Sequence, residues 1–122
     1  MLHKVFLFIL CMVSVSSQAK NHCSTLNEKI LKKDNQIAPV WILSVQSKER
    51  VYFHSAPSDN CKIKNLFIIF DDTVTGYNFY QDSKQEWIKV IYYSKRKDLE
   101  SEIVEGWIKF RDLKLIPREF PH

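Results

Sequence analysis

The sequence predicts a small, mostly β barrel of five to six strands, preceded by a short helical or irregular segment. From residue 40 onward, short runs rich in β-branched and aromatic residues are separated by polar turns about every eight to twelve residues. Gly76 lies inside one alternating run, where a glycine is typical of a β-bulge. No internal repeat is visible in the sequence, so we expect a single copy of this barrel.

Residues 1–19 have the pattern of a signal peptide. Lys4 provides a basic start, residues 5–13 are an unbroken apolar run, and Ser17 and Ala19 supply the small residues that signal peptidase requires. An apolar run of this length is too short to span a bilayer, which takes about 20 residues in a helix. A retained N-terminal anchor is the alternative. We expect a secreted chain that begins after Ala19, spans no membrane and lies in the periplasm or outside the cell.

The rest of the chain is long enough for one small domain and no more. Without Lys4 the net charge falls from +4 to +3. This modest positive charge permits a loose attraction to anionic envelope polymers, but a nucleic-acid binder normally carries a denser basic patch. The predicted compartment also argues against nucleic acid as a partner.

Two of the three cysteines, Cys23 and Cys61, lie after the predicted cleavage site. In an oxidising compartment an even pair of cysteines predicts a disulfide. Closing this loop would stabilise the fold by about 4 kcal/mol in the chain-entropy description. Free thiols are one alternative, and a metal site that includes His22 is another. The sequence has no C-x-x-C spacing of a zinc site, so we predict no metal and no cofactor.

Residues 24–36 are predicted to form the short N-terminal helix. Thr25 and Glu28 have the spacing of a capping box, and Leu26 and Ile30 fall near one face. A helix of about thirteen residues is marginal on its own. We therefore expect it to dock on the barrel.

Residues 40–117 are predicted to supply the barrel. Six runs have the alternation or the composition of strands: 40–46, 50–54, 73–80, 86–93, 103–110 and 114–116. Residues 64–70 are apolar enough to be buried. Residues 94–102 are a charged loop between the last two long strands.

The chain resembles the bacterial Src-homology-3-like (SH3-like) module of cell-envelope proteins. Three segments carry this resemblance: RVYFHSAPSDNCKI at 50–63, EWIKVIYY at 86–93 and EGWIKFRDLKL at 105–115. That family has a strand running into a small-residue–Pro turn, a W-x-x-V strand and a closing G-W-[IV] strand. The resemblance implies an SH3-like domain over residues 40–117, after an N-terminal segment at 20–39. It also implies binding of cell-wall peptides or glycan by Tyr and Trp rings.

No catalytic motif stands out. The sequence contains no nucleophile elbow, no H-E-x-x-H and no phosphate-binding glycine loop. His54, Ser55 and Asp59 could be imagined as a hydrolytic set, but the matching position in the resembled family is a structural turn. We therefore expect no enzymatic activity.

The predicted mature chain has more aromatic residues than one small barrel core should hide. We predict a ligand-binding face made of five of them: Phe53, Tyr77, Tyr80, Trp87 and Tyr93. The alternative is that these rings complete the core and the cross-strand pairs. Of the two late tryptophans, Trp107 is expected in the core and Trp87 is expected to be more exposed, beside the ligand.

The leading functional hypothesis is a non-enzymatic, secreted binding module of the bacterial envelope that recognises peptidoglycan or a protein ligand. The alternative is a small periplasmic inhibitor or immunity protein that neutralises a toxin or a lytic hydrolase. In that case the charged loop at 94–102 could block an active site.

Overall fold

The computed structural model describes residues 21–94 and 103–117. The predicted signal peptide and most of the predicted charged loop lie outside these residues. The described chain contains one short helix, α1, at residues 21–31. It also contains seven strands: β1 (Gln36–Val45), β2 (Val51–His54), β3 (Lys62–Ile68), β4 (Thr73–Gln81), β5 (Glu86–Tyr93), β6 (Ile103–Lys109) and β7 (Leu113–Leu115).

The strands form one antiparallel sheet that curls into a half-barrel, in the order β3-β2-β6-β5-β4-β1-β7. The prediction of a mostly β fold related to a small barrel is confirmed. The sheet has one strand more than the predicted maximum, because the apolar run around residues 64–70 pairs with β2 as an edge strand instead of being an unassigned buried segment.

The inner face of the curl holds the main hydrophobic core. Alternate residues of each strand point into it, as the two-residue period of a strand requires. Its fully buried members come from all seven strands: Leu43, Val45, Val51, Phe53, Ile68, Val74, Ile88, Val90, Val104, Ile108 and Leu113.

Gly76 lies where the side chains of Leu43 and Ile88 pack against the backbone of β4. A Cβ atom at this position would lie 2.9 Å from Leu43 Cδ1 and would overlap the end of the Ile88 side chain. The pairing register of β4 with β5 also shifts between Gly76 and Asn78. The bulge predicted from this glycine is therefore present, and the missing side chain makes room for the core.

Helix α1 covers part of the outer face of the sheet. Ile30 is buried against Trp87 and Trp107, and Leu26 and Tyr80 pack at the edge of the group. We call these five residues the tryptophan cluster. The expected docking of the N-terminal helix on the strands is thus observed for residues 21–31.

A disulfide fixes the beginning of α1. Cys23 and Cys61 are bonded, with their Cα atoms 5.7 Å apart, as the cysteine count predicted. Cys61 ends a short 3-10 turn at Asp59–Cys61 that leads into β3. The bond therefore joins the first turn of the helix to the β2–β3 connection.

Asn35 fixes the other end of the helix. Its side-chain amide donates to the carbonyl of Ile30, at 3.0 Å, and its side-chain oxygen accepts from Asn78 Nδ2, at 2.9 Å. The backbone N–H of Phe79 donates to the Asn35 carbonyl. The helix end is thus capped and joined to β4 by one residue.

The helix boundaries differ from the prediction. The chain is already helical at residue 21, and the helix ends at residue 31. Thr25 and Glu28 therefore lie inside the helix rather than at its start, and their spacing does not mark an N-terminal cap. The side chain that caps the helix is instead that of Asn35, which bonds the Ile30 carbonyl at the C-terminal end.

Replacing both Cys23 and Cys61 by Ser should lower the free energy of unfolding by about 2–5 kcal/mol. Without the cross-link the unfolded chain gains conformational entropy, and in the folded protein the start of α1 is no longer tied to the sheet. Urea denaturation measures it, followed by tryptophan fluorescence. A reducing agent should weaken the wild-type protein to a similar extent and leave the double variant unchanged; equal stability of the two proteins without reductant would contradict the prediction.

Candidate functional site

The tryptophan cluster is built from neighbouring strands and closed by α1. Trp87 of β5 and Trp107 of β6 are almost completely buried, at 1% and 0% exposure. The indole N–H of Trp107 donates to the side-chain oxygen of Asn27 on the helix, at 2.7 Å. A polar contact thus accompanies the apolar one between helix and sheet.

His54 extends this cluster towards β2. Its Nδ1 lies 3.1 Å from the carbonyl oxygen of Trp107, and because a carbonyl only accepts, Nδ1 carries the proton. The imidazole meets the Trp87 ring edge-on, with centroids 4.8 Å apart. Burial, assisted by the charge of Lys109, holds the pKa of His54 below its ordinary value of 6.5, although the bond to Trp107 opposes this. The ring is therefore neutral at pH 7 and acts as packing.

The prediction that Trp87 is exposed beside a ligand is wrong. Alternation along 86–93 predicts Trp87 and Ile88 on opposite faces, and this is confirmed, since Trp87 lies on the outer face and Ile88 in the core. That outer face is covered by α1, which the alternation of β5 alone does not reveal. Trp107 is buried, as predicted.

Phe53 lies on the opposite face from the other predicted ligand-binding residues. It is fully buried in the main core. Gly106 packs against its ring, where an added Cβ would come within 3.1 Å of Phe53 Cδ1 and of the His54 carbonyl. Phe53 therefore cannot join an outer aromatic face.

The three tyrosines predicted to bind a ligand lie in three separate places on the sheet. Tyr77 is half-buried and donates to Glu105 Oε2 at 3.0 Å, and burial, reinforced by this carboxylate, raises its pKa well above 10. Tyr80 pairs with Trp87 across β4 and β5 and carries Lys33 over its ring. Tyr93 is 68% exposed at the far end of β5, about 20 Å from Trp87 at the usual rise per residue. The five residues do not line one groove.

An apolar cavity of about 180 Å³ lies instead at the end of the sheet where β5 and β6 approach β3. Its walls are mostly aliphatic and aromatic: Phe53, Leu66, Phe67, Ile68, Ile69, Tyr92 and Val104, with Asp72 and Ser94 as polar members. A dry, apolar cavity of about 150 Å³ is enough to hold a molecule the size of benzene. This cavity therefore has room for one apolar side chain.

One wall of the cavity is fixed by the β3–β4 turn. Asp72 accepts from the backbone N–H of Ile69 through Oδ2, at 2.8 Å, and its own N–H donates to the Ile69 carbonyl. Asp71 adopts a left-handed conformation, with φ of 73°, which an Asp tolerates better than most residues. Its N–H donates to Val45 at the end of β1. The turn is thus held to the sheet, and the Asp72 carboxylate is engaged by the backbone.

Exposed apolar residues lie at the cavity end of the sheet, Ile69 on the cavity side and Ile103 on the opposite, outer face. Ile69, on the cavity wall, is 54% exposed, and so is Ile103. Ile103 pairs across the strands with Tyr93, next to the Tyr92–Val104 pair that lines the cavity. Alternation along 86–93 predicts Tyr92 on the same strand face as Ile88 and Val90, as observed, but it gives no sign that the core is incomplete there.

Comparisons of the chain with protein families, with curated proteins and with solved structures found no match. Within residues 21–94 and 103–117, no helix has the length and apolar character needed to cross a membrane. In the same ranges, no three His, Cys, Asp or Glu side chains are grouped so as to hold a metal ion.

The hydrogen bond between Trp107 and Asn27 should contribute about 1 kcal/mol to stability. A double-mutant cycle of Trp107→Phe and Asn27→Ala isolates this coupling from the cavity that the smaller ring leaves. Urea denaturation of the four proteins supplies the free energies. The control cycle pairs Asn27→Ala with Trp87→Phe, whose coupling should be close to zero; equal coupling in both cycles would show that the hydrogen bond contributes nothing specific.

Stability should fall on acidification through the titration of His54. Because the folded pKa is depressed, the unfolded chain binds the proton first, below pH 6.5. The stabilisation is complete above that pH and is lost as the pH falls towards the folded pKa. Thermal melts of the wild type and of His54→Asn, which keeps a donor but does not titrate, should diverge between pH 7.5 and about 5. Parallel melting curves over this range would contradict the assignment.

Proposed function

We propose that this chain is a non-enzymatic, secreted binding module of the bacterial envelope that recognises a protein or peptide ligand. The observation that carries the proposal is the apolar cavity at the end of the sheet, with the exposed Ile69 on its wall. An apolar pocket with few polar groups is the usual form of a site that holds an apolar side chain. Apolar surface around such a pocket is common in protein interaction sites.

A protein ligand fits this surface better than a glycan does. Sugar binding would favour the face of aromatic rings predicted from the sequence, but Trp87 is covered by α1 and Phe53 is in the core. The cavity offers mainly hydrocarbon, and its one carboxylate, Asp72, already accepts a backbone hydrogen bond. The disulfide supports the secreted location, since such bonds persist in oxidising compartments. The SH3-like resemblance supports the envelope assignment.

The proposal predicts that small apolar probes enter the cavity. N-acetyl-leucine amide, added to the isotope-labelled protein, should shift the methyl signals of Leu66 and Val104 in a saturable way, and N-acetyl-serine amide should not. Val104→Phe should fill the cavity and lower the affinity at least tenfold. Leu115→Ala, at an exposed position on β7, is the matched control and should bind like the wild type.

Two results would overturn this assignment. One is the absence of saturable shifts with the leucine probe; the other is retained binding in a folded Val104→Phe protein. Sedimentation with purified sacculi tests wall binding directly, because a glycan-binding module would co-sediment regardless of the cavity variant. If the protein ligand proves to be a lytic hydrolase whose activity falls on binding, the same cavity would belong to an inhibitor.

A further inference from the structure

The outer surface of the β2–β3 hairpin is a basic groove, separate from the tryptophan cluster. It encloses about 580 Å³ and is lined by Arg50, Tyr52, Lys62, Lys64, Asn65 and Phe67. Three of these side chains are cations, and none is an acid. Charged surfaces of ordinary proteins usually mix both signs. The adjoining surface does so, with carboxylates beside Arg50 and Lys62. The β3 side has only cations among its charged side chains and therefore favours an anionic occupant.

Two of the cations are positioned by aromatic rings. The guanidinium carbon of Arg50 lies 4.4 Å from the centroid of the Phe67 ring, and Lys62 Nζ lies 4.4 Å from the centroid of Tyr52. The two rings face each other across the strands, with centroids 5.7 Å apart. Cations held in this way lose less side-chain entropy when they meet an anion.

The groove runs along an edge of the sheet. β3 is the last strand in the sheet order, so one side of it pairs with β2 and no described strand pairs with the other. Lys62, Lys64 and Asn65 are exposed in its first half. An edge strand presents backbone N–H and C=O groups that an added strand can pair with.

We propose that β3 takes an extended, acidic segment of a partner protein as an additional strand. The segment's backbone would pair with the edge of β3, and its carboxylates would meet Arg50, Lys62 and Lys64. This inference rests on the proposed function in one respect, that the ligand is a protein. It uses different residues from those that seat an apolar side chain, although Phe67 borders both sites.

Other occupants fit less well. A second copy of this chain would bring lysines against lysines, and like charges directly opposite each other destabilise a strand pair. A polyanionic polymer without amide groups would neutralise the cations but leave the strand edge unpaired. A different reading is that the lysines only protect the edge strand from unwanted pairing. That role does not require Arg50 and Lys62 to be held over aromatic rings.

The probe is a blocked hexapeptide of alternating Glu and Val, compared with the Lys–Val peptide and with the Glu–Val peptide N-methylated at alternate residues. Titration calorimetry should give saturable binding of the acidic peptide only. The N-methylated form keeps the charge but loses backbone donors, so its affinity should fall at least tenfold. Hydrogen exchange should slow at the β3 amides that are not bonded to β2 when the acidic peptide is present.

The variant Lys62→Glu/Lys64→Glu should weaken binding of the acidic peptide at least tenfold. The matched control, Lys29→Glu/Lys32→Glu, makes the same change in net charge at exposed positions in and just after α1, away from the groove. It should change the affinity less than threefold. Thermal melts confirm that both variants are folded.

Four results would each overturn the inference. They are no binding of the acidic peptide at 1 mM, equal binding of the N-methylated peptide, binding without slower exchange in β3, and an equal loss in the helical control. Equal binding of the N-methylated peptide, or binding without slower exchange in β3, would indicate an electrostatic contact with any polyanion. Saturable binding of N-acetyl-leucine amide in the same protein would show that the proposed cavity function survives such a failure.

Discussion

The curled sheet has apolar side chains on both faces, and its own curvature can bury only one of them. The inner face closes into the main core. On the outer face, two tryptophans and a histidine would be open to water without a second layer. Helix α1 supplies that layer, and its position covers Trp87 and Trp107. The disulfide at one end of the helix and Asn35 at the other hold it over them.

This arrangement decides which surfaces remain for a ligand. The helix removes the tryptophan end of the outer face from contact with solvent. The apolar cavity at the far end of the sheet and the basic groove along β2 and β3 lie outside the area that the helix covers. Both include residues of β3, the edge strand. The two proposed contacts therefore border the same edge of the sheet, one on each face, where a single extended partner could reach both.

Much of the strand pattern could be predicted from the sequence, because a period of two is a local property. The alternation in β5 assigned Ile88 and Trp87 to opposite faces, as observed. The cysteine pair was predicted by counting. Local patterns do not state which distant element covers a face, and for this reason the exposure of Trp87 was mispredicted. The cavity could not be predicted either, because it depends on how far the sheet curls and not on any single run of residues.

The contact between Asn27 and Trp107 joins residues 80 positions apart in the chain. During synthesis, the helical segment is made long before β6 exists. Leu26 packs against Ala56 and Cys61, but the cluster of Ile30 with both tryptophans is complete only after β6 has been made. The fold is dominated by non-local contacts, which slow folding. A chain that stops before residue 107 lacks one of the two tryptophans that the helix covers and cannot complete either face of its sheet.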